Sequence, residues 1–255
     1  KSFMARAGAF DDLDIVFAWH PGTFNLTVNA SMQALTAIEF FFKGRTAHAA
    51  AAPHLGRSAL DGVELMNVGA NYMREHVPDG TRIQYQITNG GSAPNIVPEK
   101  ASVYYFLRGA SRKAVDELQS RLIKIAEGAA LMTETSVRYE ISSACYDSLP
   151  NMTLNTLMYD QWKEIPPLTY TDEEIKFAEQ LSKSIDPSVM AGSKQQLQML
   201  GGNPNEMLLT DTYNIPQMFR QSSPGSSDIG DVTWIAPIGQ VLTNCAPQGV
   251  QVHTW

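Results

Sequence analysis

The chain has 255 residues, 44% hydrophobic and 18% charged, a composition that buries a core and excludes a disordered chain. Its length suits two ordinary domains. The net charge of −7 and the lack of a Lys/Arg block argue against a nucleic-acid partner. No apolar run reaches the roughly 18 to 20 residues that cross a bilayer, so no membrane association is expected and the compartment expected is cytoplasmic.

The start, Lys1-Ser2-Phe3-Met4-Ala5-Arg6, has no secretory apolar region and no initiator methionine. It reads as the middle of a domain, and a truncated piece of a longer protein is expected. Ile15-Val16-Phe17-Ala18-Trp19 reads as a strand that ends at His20-Pro21-Gly22, where the ladder is expected to stop. That leaves the His20 imidazole at a sheet edge, the place where open α/β sheets collect ligands. A histidine satisfied by a backbone carbonyl is the alternative.

From Ile38 to Phe42 the side chains are almost continuously apolar, which suits a buried strand. Gly44-Arg45-Thr46-Ala47-His48-Ala49-Ala50 follows, a small-residue loop in which backbone passes close and one imidazole points outward. Ala59, Val63, Met66, Ala70 and Met73 then recur at steps of three and four, one stripe of a helix with Ser58 near its start and Pro78-Asp79-Gly80 beyond its end. Ile83, Tyr85 and Ile87 alternate with Arg82, Gln84 and Gln86, and Val103, Tyr105 and Leu107 alternate with a second set, so both segments predict half-buried strands. Between them runs a long loop, Asn89 to Asn95. Val115, Leu118, Leu122, Ile125, Ala129 and Met132 mark a second helix, and Val137, Tyr139 and Ile141 a last strand.

The order βαββαβ is the ferredoxin-like arrangement, one antiparallel sheet with two helices on one face. It predicts a small domain over residues 34–148 inserted into a larger α/β domain formed by residues 1–33 and 149–255. Helices are expected around Asn155 to Lys163 and Thr171 to Ser184, and the Gln- and Gly-rich stretch Lys194 to Asn205 is expected to be a mobile loop. Cys145 and Cys245 lack metal-ligand spacing and are expected to be ordinary thiols.

The topology constrains the polar candidates. His48 is either a ligand-facing or a solvated loop histidine, and Asn95 either donates to a carboxylate or caps its turn. Arg108 leaves the core face near the end of its strand, for a carboxylate clamp or a surface ion pair. His48 and Asn95 share the top edge of the sheet, whereas Arg108 lies about 24 Å below, at ~3.4 Å per residue along Ala101 to Arg108. One copy cannot gather all three around a small ligand, and two copies can, so a dimer with a shared site is expected. Gly225-Ser226-Ser227-Asp228-Ile229-Gly230-Asp231 does not form a nucleophile elbow, and no phosphate-cradling Gly-rich loop with Lys-Ser/Thr occurs. Asp228 and Asp231 either orient a metal-bound histidine or stabilise a turn.

Lys43 to Ala50 with Pro53, Gly56 and Ala59-Leu60-Asp61, then Gly91 to Pro98 and Phe106-Leu107-Arg108, resemble the aminoacylase/carboxypeptidase metallohydrolases. Met4-Ala5-Arg6, Phe10-Asp11-Asp12, Trp19-His20-Pro21-Gly22, Glu64 to Gly69 and Ala126 to Thr135 extend the likeness to nearly the whole chain. The resemblance implies a zinc-peptidase-like α/β catalytic domain, here a remnant, with the inserted ferredoxin-like segment as its lid and dimerisation domain. It implies an amidohydrolase that uses two divalent ions, zinc or manganese, to cleave the amide bond of an N-acyl amino acid, with p-aminobenzoyl-glutamate the expected substrate. His20 falls on a metal-ligand position. His48 falls on the catalytic lid histidine that reaches across the dimer to the substrate carbonyl oxygen. Asn95 and Arg108 fall on substrate-carboxylate positions.

The family's Cys/His and Glu-Glu pairs and its last histidine ligand have no counterpart here, and Glu173-Glu174 sits on a predicted surface helix. An incomplete or absent metal centre and an inactive chain are therefore expected. The expected partners are a homodimeric copy and, in a further reading, a homologous second subunit. The rival readings are a non-catalytic dimerisation or carboxylate-binding module, and another acyl-amino-acid or short-peptide hydrolase on the same scaffold.

Overall fold

The computed structural model describes residues 1–214, 223 and 225–251. In chain order the elements are α1 (Ser2–Arg6), β1 (Val16–Gly22), β2 (Asn25–Thr27), β3 (Ala34–Lys43), α2 (Ala59–Met73), β4 (Arg82–Asn89), β5 (Lys100–Gly109), α3 (Arg112–Met132) and β6 (Ser136–Cys145). They continue with α4 (Met152–Lys163), α5 (Asp172–Ser182), α6 (Pro187–Met199), β7 (Thr212–Asn214), α7 (Ile229–Thr233) and β8 (Ile238–Asn244). The chain divides into two compact units, one of residues 1–7, 32–148 and 222–231 and one of residues 8–31, 149–221 and 232–255.

The first unit is built on an antiparallel sheet of order β4-β5-β3-β6, the ferredoxin-like topology that the element order predicts. Strand alternation sends Ile38, Phe40 and Phe42 of β3 and Val103, Tyr105 and Leu107 of β5 to one face, where they are buried. The helical stripe Ala59, Val63, Met66, Ala70 and Met73 is buried in the same core, and Ser58 caps α2 by accepting the Asp61 N–H. In α3, Val115, Leu118, Leu122 and Ala129 are buried as expected, but Ala126 joins them while Ile125 packs at the margin and Met132 is 67% exposed. At 3.6 residues per turn, a strict alternation of three and four, which averages 3.5, falls progressively short of the stripe.

Both helices pack on the central strands β3 and β5, and α3 also reaches β6. Tyr85 and Ile87 on edge strand β4, and Tyr139 and Ile141 on edge strand β6, are exposed despite their apolar alternation. On α2, Leu65, Val68 and Tyr72 form a second apolar row and are also exposed.

The second unit holds a mixed sheet of order β1-β8-β2-β7, with β1 parallel to β8, β8 antiparallel to β2 and β2 parallel to β7. Phe24, Leu26, Leu197, Leu209 and Tyr213 make its small core. Asn155 on α4 is 1% exposed and ties the sheet to the helix, donating to Val28 O and Asn29 Oδ1 and accepting the Gln240 N–H.

Two expectations are corrected here. Pro21-Gly22 does not stop the first strand, for the ladder runs on through Pro21↔Thr243 and Gly22↔Asn244. Among the described residues β1 pairs with β8 alone, and an edge strand tolerates a proline whose missing N–H costs no ladder bond on its open side. Lys194 to Asn205 is not a loop throughout, because Pro187–Met199 is helical. Asp186 caps that helix and Pro187 occupies its first position, where a missing N–H is harmless, and Leu197 anchors it at 0% exposure.

Candidate functional site

The end of the lid sheet where β3 leaves and β5 enters carries a tip of laced loops. Arg45 and Arg57 exchange backbone hydrogen bonds of 2.9 and 2.8 Å, Val97 N donates to Ala47 O at 2.9 Å, and Ala49 N donates to Asn95 O at 2.9 Å. His48 and Ile96 face each other in an antiparallel bridge. Gly44 makes this possible: a Cβ there would lie 1.9 Å from the Arg57 carbonyl oxygen. Gly91 turns the β4–β5 loop with a φ of +102°, a conformation open to glycine.

His48 is exposed. Its Nδ1 accepts the backbone N–H groups of Ala50 and Ala51, both at 3.2 Å. An accepting Nδ1 puts the hydrogen of a neutral imidazole on Nε2, so the ring presents a donor on its outer side. Asn95 is exposed beside it. The structure thus brings His48 and Asn95 together.

Arg108 stands apart from them. On β5 it pairs with Leu35 of β3 and Arg82 of β4, at the opposite end of the strands from Lys43↔Lys100, after which the chain enters the tip. It is half-buried on the face away from the helices, with its guanidinium 5.8 Å from the centre of the Phe106 ring. In the sequence Arg82 belongs only to the polar set of its strand. The signal that singles it out is cross-strand register, which a single strand's alternation does not contain.

In the second unit, His20 is exposed on β1. Its Nδ1 lies 2.7 Å from the Pro21 carbonyl oxygen. A carbonyl only accepts, so Nδ1 carries the hydrogen and the Nε2 lone pair is left for a ligand. Metal-bound histidines are oriented in this way by backbone carbonyls. One ligand does not make a metal centre, however, and among the described residues no group of three His, Cys, Asp or Glu side chains is placed to hold an ion. The described residues alone do not fit a two-metal site.

The remaining candidates are structural. Asp231 accepts the Ser2 hydroxyl at 2.6 Å and the Tyr146 N–H at 3.4 Å. The Asp228 carboxylate accepts a 2.7 Å hydrogen bond from the Lys1 side chain. Glu174 closes a capping box with Thr171, and those backbone and hydroxyl bonds lower its pKa. Cys145 is buried and Cys245 exposed, both as free thiols. No described helix is long and apolar enough to cross a membrane.

Residues 33–133 match the peptidase dimerisation domain family. Over 269 aligned positions that take in the whole chain, the sequence is 38% identical to a p-aminobenzoyl-glutamate hydrolase subunit of Escherichia coli K12, covering 55% of that protein. It is 31% identical to the Xaa-Arg dipeptidase of Mus musculus over 65% of this chain and 38% of that one. Among solved structures, the fold is similar to that of an aminobenzoyl-glutamate utilization protein from Klebsiella pneumoniae, with a TM-score of 0.60 and 18% identity over 94% of this chain and 52% of that one. The chain spans about half the length of the curated relative it matches end to end.

Proposed function

We propose that this chain serves an amidohydrolase of the aminoacylase/carboxypeptidase metallohydrolases acting on N-acyl amino acids, a reading supported by the match of residues 33–133 to the peptidase dimerisation domain family and by the likeness of the whole chain to a p-aminobenzoyl-glutamate hydrolase subunit. The substrate we assign is p-aminobenzoyl-glutamate, cleaved to p-aminobenzoate and glutamate. The observation that carries this reading is the tautomer of His48. With Nδ1 occupied by two backbone donors, Nε2–H is held ready to donate to a carbonyl oxygen as negative charge develops on it, the preorganised donor that amide cleavage requires.

In this reading Asn95 and Arg108 hold the substrate carboxylate, Asn95 through its amide and Arg108 through a bidentate pair. Their placement at opposite ends of the sheet supports a homodimer in which the tip of one copy serves the Arg108 of the other. The exposed apolar row Leu65, Val68 and Tyr72 on α2 and the exposed Tyr85 and Ile87 on β4 support an association through the lid. A homologous second subunit would use the same surface.

His20 is assigned as one ligand of a divalent pair, zinc or manganese. The orientation of its ring, with Nδ1 on the Pro21 carbonyl and Nε2 exposed, supports that assignment. The test is hydrolysis by the full-length protein of p-aminobenzoyl-glutamate against a panel of acyl amino acids and dipeptides, with metal content measured on the same preparation. Release of p-aminobenzoate above the rest of the panel is expected. Preference for an Xaa-Arg dipeptide, or carboxylate binding with neither metal nor turnover, would replace the reading with one of its rivals.

A further inference from the structure

Arg82 and Arg108 are register partners on β4 and β5. Their neighbours Ile83 and Leu107, also partners, are buried in the core, so strand alternation puts both arginines on the face away from the helices. Residues directly opposite on antiparallel strands have Cβ atoms about 4.5–5.5 Å apart, and like charges in that position are destabilising. Two arginines so placed concentrate positive charge on one patch of this face, which an anion held there would offset.

The surroundings leave Arg82 available for one. It is exposed and donates from Nη1 to Thr81 O at 2.9 Å, and among the described residues it forms no ion pair. Two other cations at this end of the sheet are engaged: Arg112 is matched by Asp116 at 2.8 Å and donates to Leu35 O and Thr36 Oγ1, and Arg74 donates to Asn71 Oδ1 and Ile83 O. The chain entering β4 is fixed, because Gln33, 5% exposed, donates to Gly80 O at 2.8 Å. Arg82 thus projects from an anchored strand end with its charge uncommitted.

The geometry points to Arg82 as a second carboxylate-binding residue that sets selectivity for N-acyl amino acids with an acidic side chain, glutamate above all. This rests on the reading of Arg108 as the clamp for the substrate α-carboxylate. One bidentate carboxylate neutralises the single charge of one guanidinium. A substrate with a second carboxylate needs a second cation within reach of the first, and the register supplies it. A substrate with a neutral side chain gains nothing from Arg82.

Calorimetry with N-benzoyl-glutamate and N-benzoyl-glutamine tests this, since the two ligands share acyl group, length and α-carboxylate and differ in side-chain charge. The wild-type chain is expected to favour the glutamate ligand by about tenfold or more, the scale of one charge-assisted hydrogen bond. Arg82→Gln is expected to abolish that preference and to hold the glutamine ligand within about twofold of wild type, while Arg108→Gln weakens both. An Arg82→Gln variant that keeps the preference, or that loses both ligands equally, overturns the role of Arg82 and leaves Arg108 standing. Binding of both ligands by Arg108→Gln at wild-type strength, or of neither by wild type, overturns the clamp and this inference with it.

Discussion

Tyr105 donates its phenolic hydrogen to the side-chain oxygen of Asn67 across 2.5 Å in the lid core, with the tyrosine 0% and the asparagine 6% exposed. Burial, helped by Tyr85 and opposed by Arg74, raises the hydroxyl well above the ordinary tyrosine range. The unfolded chain loses this proton near pH 10, so the folded state binds more protons above that pH. The stability involved is complete below about pH 10 and declines as the pH climbs toward the folded value.

Tyr105→Phe leaves the Asn67 oxygen buried without its donor and is expected to cost about 1–3 kcal/mol at pH 7. Denaturant unfolding at pH 8 and pH 11 should then show a smaller alkaline loss in the variant than in wild type. Equal losses would mean that Tyr105 ionises alike in both states.

Tyr213 is the opposite case. Its hydroxyl is buried and has no hydrogen-bond partner among the described residues, and burial, with Asp211 and Glu206 adding to it, pushes its pKa up to about 12. Tyr213→Phe removes an unpaired polar atom from the core of the second unit, so equal stability or a gain of about 1 kcal/mol is expected. A loss larger than that in thermal unfolding would show that the hydroxyl has a partner in solution.

Gly44 and Gly128 make a matched pair of alanine substitutions. At Gly44 the added Cβ meets the Arg57 carbonyl oxygen at 1.9 Å, whereas at Gly128, inside α3, nothing lies within 4 Å. Gly44→Ala must part the Arg45–Arg57 bridge and is expected to cost about 1–3 kcal/mol and to shift the NMR signals of His48. Gly128→Ala should gain up to about 1 kcal/mol from helix propensity. Comparable unfolding midpoints for the two variants would refute the close approach on which the tip depends.

What the sequence carried well was periodic. Val63, Met66 and Ala70 sit where a helical stripe puts them, and Val103, Tyr105 and Leu107 where a strand does, because each pattern is dictated by the geometry of a single element. The Gly44 loop was legible for a related reason, since only small residues admit a backbone so near. Illegible were features that depend on what lies beside an element. Pro21 reads as a strand stop until β1 is seen to be an edge, and Lys194 to Met199 reads as loop because its stripe reduces to Leu197 and its cap lies at Asp186, upstream of the stretch. Arg82 opposite Arg108 follows from a cross-strand register that neither strand's own alternation states.

The division of the lid's polar groups leads to a mixing experiment. His48 sits at one end of the sheet and Arg108 at the other, and neither substitution threatens the core: His48 is exposed and Arg108 lies on the face away from the helices. In the full-length protein, His48→Ala is expected to lower kcat about 10²–10³-fold, the scale of one lost transition-state donor, with an unchanged unfolding midpoint. Arg108→Ala should act mainly on KM, as the loss of a binding contact does. If each site draws its imidazole from one copy and its guanidinium from the other, a mixed dimer of the two variants has one site with both residues intact and one with neither. Random pairing of equal amounts would then restore about a quarter of wild-type activity under conditions where each variant alone is nearly silent. A mixture no better than the average of its components, or a protein that remains monomeric at working concentration, would place both residues in a single copy or outside the reaction.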